Sequence, residues 1–543
     1  MGANLRRAVR TSRKNALTAS HSSLRWYRDI VSVAFIPNRR YAEVQNTNVL
    51  LSVRNLKKYF PIKGGGLLGR GARAVHANEN ITLDIYEGET LGLVGESGSG
   101  KSTLGRTLLQ LYEQTAGDTL YYGRSLAEID PRYVGQTLGH AREVLDAVRK
   151  RETRAKILAA RCRALGASAT PRLRQRAELA KSEADTAFGR AVRMLGGFAA
   201  LDDPREGAAL LLRRHEAEVR AARIRARLSR STRDETRGEQ IKRLQNELEI
   251  LECEVETHTK KLDELKKRYA DTPKFAEYEQ LLDTGIELSR LRSSEMRLLR
   301  RDLQIIFQDP YSSLNPRMTV GQIIEEGLLT HHLYRQGSEE LKNAVSDVMR
   351  RCGLQEHMRH RYPHQFSGGQ RQRISIARAL AVSPRFVVCD ECVSALDVSI
   401  QAQILNLLGE LKARERLTYL FISHDLSVVR YLSDRIGVMY LGHIVELGGS
   451  EDVFSSPAHP YTVTLLSALP TTDPRDRGRE IGGAEGSTPS PIKPPSGCVF
   501  HTRCPMAEDI CRKKMPPLAQ VKEGHFSACH FAERVRSNAG ALQ

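Results

Sequence analysis

Residues Gly95 to Thr103 read GESGSGKST and match the spacing G-x-x-x-x-G-K-[ST] at Gly95, Gly100, Lys101 and Ser102. Such a loop is a phosphate cradle. Its glycines, Gly98 included, let successive backbone N–H groups turn inward onto phosphate oxygens. Lys101 reaches the β- and γ-phosphates of a nucleoside triphosphate, Ser102 offers a hydroxyl to Mg²⁺, and Ser97 and Thr103 belong to the same cradle. Far downstream, RFVVCDE sets Asp390 and Glu391 at the end of a short apolar run. Mg²⁺ is a hard cation that takes oxygen ligands, so Asp390 suits its shell. Glu391 is the best general base for an attacking water. His424 closes the run YLFISH, where an imidazole can reach a γ-phosphate. The chemistry implied is in-line attack of water on that phosphate.

Those side chains need rigid elements behind them. LGLV, residues 91–94, reads as a buried strand, and TLGRTLLQL after the loop reads as a helix, so the phosphates sit at a helix N-terminus. NVLLSVRNL alternates, and ITLDIYEGETLGLVG holds two strand runs joined at Glu87-Gly88. The pattern is α/β over 48–130, breaks, and resumes over 299–470. Between them, 131–298 reads as helical, rich in Ala, Arg, Leu and Glu and almost without strand signals. Both its ends are expected to leave the α/β domain through one surface connection. Ile241, Leu244, Leu248, Leu251, Val255, His258, Leu262, Leu265 and Tyr269 alternate spacings of three and four, the a/d seam of a coiled coil. An antiparallel hairpin follows, its partner helix drawn from 205–231.

Bulk properties bound the rest. A chain of 543 residues has ample length for a core and for several domains. No apolar run approaches the ~20 residues that span a bilayer, so any membrane work needs another chain. The net charge of +19 sits largely in the insert, where residues 149–230 carry 21 Lys and Arg against 9 Asp and Glu. Residues 1–47, free of acid before Asp29, read as a disordered basic extension, with a transit peptide as the other reading. A Pro/Gly/Ser-rich linker spans 471–497. The segment 498–543 is a small Cys-rich domain holding Cys498, Cys504, Cys511 and Cys529. Four thiols in a tail with little core point to a staple: an iron–sulfur cluster, zinc, or free structural thiols. Disulfides are disfavoured in a reducing compartment.

FSGGQRQR, Phe366 to Arg373, together with the phosphate loop and the strand ending Asp390-Glu391, resembles the ABC ATPase family. GETLGLVGESGSGKSTLGRTLL, IIFQDPYSSLNPRMTV, SALDVSIQAQILNLL and HPYTVTLLSALP resemble its oligopeptide/dipeptide importer branch. The resemblance implies a P-loop NTPase cassette, interrupted by the helical hairpin and followed by the Cys-rich domain. It implies ATP and Mg²⁺ as ligands. Gln308 would be the glutamine that touches the Mg²⁺–water region. Phe60, with Tyr59 as the alternative, would stack on adenine. Ser367, Gly368, Gly369 and Gln370 would meet the γ-phosphate of ATP held by an opposite subunit. It ranks a [4Fe-4S] cluster first on the four cysteines and zinc second. Cys392 stands where family members commonly have proline, but the carboxylates are intact.

The partners implied are a second ABC ATPase subunit, two transmembrane permease subunits and an extracytoplasmic substrate-binding protein, with this chain peripheral on the cytoplasmic face of a bacterial inner membrane. Peptides lead as substrate, ahead of nickel and glutathione. The runner-up is a soluble ABC-type ATPase acting on nucleic acid or ribosomes through the basic insert. Solvated charged helices are commoner than such patches, and nucleic acid is not expected. Repair-type relatives insert their coiled coil after the glutamine, whereas this insert precedes Gln308.

Overall fold

The computed structural model describes residues 48–62, 73–231, 238–468 and 487–539. The basic extension, 1–47, and residues 471–486 of the expected linker lie outside the described residues. The strands are β1 (Val49–Ile62), β2 (Arg73–Tyr86), β3 (Thr90–Val94), β4 (Ala116–Tyr121), β5 (Ile286–Glu287), β6 (Leu303–Ile306), β7 (Phe386–Asp390), β8 (Thr418–Ile422), β9 (Arg435–Tyr440), β10 (His443–Gly449), β11 (Ala519–Lys522) and β12 (His525–Ser527). Eight form one sheet in the order β11-β12-β10-β9-β3-β8-β7-β6, and four form a second in the order β2-β1-β4-β5. The run β9-β3-β8-β7-β6 is parallel. Every residue of β3, β7 and β8 is buried, which is why these stretches are continuous apolar runs without alternation. The four-stranded sheet is antiparallel.

Helices fill both faces. α1 (Lys101–Leu108) lies between the sheets, with Leu104 and Leu108 against Leu51, Val53, Val388 and Ile422. A Cβ on Gly105 would stand 2.8 Å from Val388, so only glycine lets α1 lie this close to the sheet. On the other face α6 (Val320–Thr330), α7 (Glu339–Arg351) and α8 (Gly368–Leu380) cover the parallel strands through Ile323, Leu328, Val345, Met349 and Ile374.

Between β4 and β5 the chain runs through α2 (Ala141–Leu165), α3 (Pro171–Leu195), α4 (Arg205–Ser231) and α5 (Gly238–Arg268). Ion pairs Arg220–Glu254 and Arg225–Glu252, both 2.7 Å, and Arg268–Glu206 at 4.0 Å run in opposite sequence directions, so α4 and α5 are antiparallel. The apolar period of α5 faces α4: Leu251, Leu262 and Leu265 are buried, while Ile250, off that period, is 69% exposed.

Two expectations about residues 131–298 differ from what is observed. The stretch contains a strand: β5 pairs with β4 through Leu120↔Glu287 and Tyr121↔Ile286. Two residues are too short to carry a period-2 signal. Nor does the insert hang from one surface connection. Arg190 and Arg193 of α3 donate to Asp118 of β4 at 2.9 and 2.6 Å, and Arg190 also pairs with Glu287 of β5. Asp118 and Glu287 are buried polar residues, so the insert supplies charges that the sheet edge requires.

Candidate nucleotide site

The phosphate loop connects β3 to α1. Gly95 has φ +146° and Gly100, the N-cap of α1, has φ +100°. A Cβ would lie 2.1 Å from the Met439 carbonyl oxygen at Gly95, and 2.1 Å from the Ala77 carbonyl oxygen at Gly100. Both motif glycines are thus fixed by conformation and by close approach. Gly98, φ +80°, has open space beside it. Lys101 is buried, and its Nζ donates to the carbonyls of Gly95 (2.7 Å) and Glu96 (3.0 Å) and to Ser99 Oγ (3.3 Å). Burial lowers its ammonium pKa, while Glu391, Asp390 and Glu96 pull the other way. Ser102 and Thr103 follow, half-buried, on the first turn of α1, and Ser97 is exposed.

Strand β7 ends at Asp390. Its Oδ2 accepts from Arg106 of α1 at 3.1 Å, while Oδ1 is buried with no hydrogen-bond partner. A buried carboxylate oxygen left open beside a phosphate loop fits a Mg²⁺ ligand. Glu391 follows with φ +49°, unusual for a residue with a side chain. Gln308, just after β6, donates from Nε2 to Glu391 Oε2 at 2.8 Å, and His424 Nδ1, just after β8, lies 3.5 Å from the same oxygen. The ends of three neighbouring parallel strands thus bring Gln308, Glu391 and His424 together. Cys389 and Cys392, on either side of the two carboxylates, are buried free thiols, and the Cys392 contact and burial push the Cys389 thiol far up.

Phe60 is half-buried near the end of β1, edge-on to Tyr112 (5.4 Å), with Lys58 Nζ 4.6 Å from its ring centre. Tyr59 is engaged elsewhere, its hydroxyl donating to Glu79 at 2.5 Å. Ser367 is the N-cap of α8 and closes a capping box with Gln370. A Cβ on Gly369 would meet Ile400 at 2.4 Å, and Gly368 is half-buried. Among the described residues, Ser367, Gly368, Gly369 and Gln370 make no hydrogen bond to the phosphate loop. Ser367 faces solvent.

The iron–sulfur or zinc centre expected on Cys498, Cys504, Cys511 and Cys529 is not supported. Among the described residues no group of three or more His, Cys, Asp or Glu is drawn together to hold a metal ion. The four cysteines do line one cavity, of about 10 Å³, with Phe500 and Phe531. The donor set therefore fits a four-thiolate centre in number and in facing one space, but not in spacing. Burial pushes the Cys498 and Cys529 thiols up to about 11.

Sequence reasoning missed the partners of the phosphate loop. Arg106 lies one helical turn past Ser102 on α1, and only the sheet brings it to Asp390. Tyr461, in the HPY stretch, accepts from the Glu96 N–H at 2.8 Å, and Arg503 of the Cys-rich tail binds the Glu96 carboxylate. HPY was legible as a motif; nothing in its spacing pointed to Glu96.

Comparison with known proteins shows the family. The family model described as "ABC transporter" matches residues 78–246 and 275–394, and "Oligopeptide/dipeptide transporter, C-terminal region" matches 445–511. The oligopeptide transport ATP-binding protein AppF of Bacillus subtilis is 34% identical over 489 residues, 90% of this chain and 98% of that protein. The putative oligopeptide transport ATP-binding protein YkfD of the same organism is 51% identical over 248 residues, 46% of this chain and 75% of its own length. A putative peptide import ATP-binding protein of Brucella ovis is 52% identical over 250 residues, 46% of this chain and 78% of its own. The nucleic-acid or ribosome reading finds no support, because the matched C-terminal region is a transporter's. The family-model matches, the 34% identity to AppF over 98% of its length, and a P-loop facing the carboxylates at the end of β7 make this chain a member of the ABC transporter family, an ABC ATPase of the oligopeptide/dipeptide transporter branch.

Proposed function

We propose that this chain hydrolyses MgATP to drive import of oligopeptides or dipeptides through partner permeases. One observation carries the catalytic reading: Gln308, Glu391 and His424 meet at a single carboxylate oxygen, close enough to Lys101 for Glu391 to act on its charge. Glu391 would accept the proton of the attacking water, and Gln308 would hold that carboxylate and the water in register. His424 would hydrogen-bond the γ-phosphate. Lys101 would exchange the carbonyls of Gly95 and Glu96 for β- and γ-phosphate oxygens. Ser102, Asp390 and the Gln308 side chain would hold Mg²⁺, which when bound neutralises charge developing on the phosphate oxygens. Gly95, Ser97, Gly98, Gly100 and Thr103 would line the phosphates, and Phe60 would stack on adenine.

The exposed start of α8 supports a head-to-tail partner. The Gly368 and Gly369 N–H groups at the helix N-terminus, with the Ser367 hydroxyl and the Gln370 side chain of the capping box, would meet ATP held by a second ABC subunit. Two permease subunits and an extracytoplasmic binding protein complete the importer we infer. Among the described residues no helix is long and apolar enough to cross a membrane, so the chain would work peripherally, at the cytoplasmic face of the cell membrane. The peptide substrate is supported by the names of the relatives and by the C-terminal region.

The division into cassette segments 48–130 and 299–470 around the helical insert 131–298, followed by linker and tail, is part of this reading. So is a short coiled coil formed by α4 and α5. On Cys498, Cys504, Cys511 and Cys529 an iron–sulfur cluster comes first, zinc second and free structural thiols third; a shared ligand is supported only by all four facing one cavity, and their spacing here does not hold a metal. The test of the catalytic reading is Glu391→Gln. ATP should still bind, and turnover should fall by about 100-fold or more, the scale of general-base catalysis. Hydrolysis at near wild-type rate would show that another group is the base.

A further inference from the structure

Glu96 stands second in the phosphate loop, and the C-terminal region holds it at several points. Its backbone N–H donates to the hydroxyl of Tyr461, a fully buried side chain, at 2.8 Å. Its carboxylate takes Arg503, whose Nη1 lies 3.0 Å from both oxygens. Thr488 adds a hydroxyl donor at 2.7 Å. On the opposite side, the Glu96 carbonyl accepts from Lys101 Nζ. One residue thus joins the lysine of the phosphate loop to the tail.

The tail is built to deliver that grip. Arg503 directly precedes Cys504, and its side chain is only 10% exposed. Phe500, three residues earlier, packs on Tyr440 (5.2 Å) and Tyr461 (5.3 Å). The same short stretch therefore lines the four-cysteine cavity and aims Arg503 at the loop. The charge also matters. Without Arg503, a carboxylate with Coulombic influence on Lys101 would stand uncompensated beside an incoming polyanion.

We propose that Arg503, with Tyr461 and Thr488, positions the phosphate loop by holding Glu96 and cancels its charge, so that the C-terminal region sets affinity for the nucleotide. The proposal rests on reading Gly95–Thr103 as the phosphate cradle, and Lys101→Ala tests that reading separately. The experiment is titration of the full chain with a fluorescent ATP analogue and Mg²⁺, across wild type, Lys101→Ala, Arg503→Gln, Glu96→Gln and Arg503→Gln/Glu96→Gln. Arg503→Gln should weaken binding about tenfold, the size of one uncompensated unit charge acting over about 10 Å at an effective dielectric of about 20. Adding Glu96→Gln should recover most of that loss, which a merely structural role for Arg503 would not do.

Wild-type affinity in Arg503→Gln, or a double variant as weak as Arg503→Gln, overturns the proposal. If Lys101→Ala alone binds normally, it is the cradle reading that fails. Should Arg503→Gln not fold, Thr488→Val removes one donor to the same carboxylate; it should weaken binding two- to threefold, and no change there overturns the proposal.

Discussion

Glu391 holds a left-handed backbone conformation, φ +49°, that costs a residue with a Cβ about 1 kcal/mol or more. That conformation turns the chain just past β7, where the carboxylate meets Gln308 and His424. The strain sits at the residue with the most demanding task, and the parallel strands on either side sustain it. The four tail cysteines show the opposite economy: none is strained, and all face one small cavity. Anaerobic purification followed by iron, sulfide and zinc analysis decides their use. Iron with acid-labile sulfide, lost in Cys504→Ser, is expected if a cluster forms, whereas metal-free protein would leave them as structural thiols.

At the scale of elements, α3 is bound to the sheet edge by charge. Asp118 of β4 and Glu287 of β5 are buried and face Arg190 and Arg193 across the helix–sheet contact. Removing one guanidinium leaves acceptors that water cannot reach freely. Arg193→Ala should therefore cost about 2 kcal/mol, the value of a charge-assisted hydrogen bond lost from a buried acceptor. Urea unfolding of the purified variant measures it; an unchanged midpoint would mean that Arg193 adds nothing to the tether beyond Arg190 and the apolar contacts. The basic excess of the insert has, in these two residues, a structural use.

At the scale of the whole molecule, the C-terminal region is pinned to the cassette through a buried polar knot. His459 is fully buried, its Nδ1 accepts from the Tyr461 N–H at 3.1 Å, and its own N–H donates to Glu446, which also meets His525. Burial lowers the His459 pKa from 6.5 to about 3, so the folded protein keeps the ring neutral. A depressed folded pKa gives stability that is complete above the unfolded value. That stability is lost as pH falls, from about 6.5 toward about 3. The thermal midpoint should drop over this window, and His459→Gln should flatten the drop. An equal slope in the variant would assign the acid sensitivity to other groups.

The cassette and most of its candidate site were legible in the amino-acid sequence because they depend on local chemistry. Gly95, Gly100 and Lys101 must be spaced as they are for backbone N–H groups to curl around phosphate, and an apolar run must end at Asp390-Glu391 to bring acids to the carboxyl end of the parallel strands. The long helix over Gly238–Arg268 and its apolar face were legible for the same reason, since a helix face repeats along the chain. Pairings between distant segments were not. β5 carries too few residues to show a period, and the bonds from Arg190 and Arg193 to Asp118 cross more than 70 residues. Arg503 meets Glu96 across 407 residues. A lone arginine in a tail and a lone glutamate in a loop have no pattern to betray each other. Only the tertiary fold, by packing Phe500 against Tyr440 and Tyr461, decides that they pair.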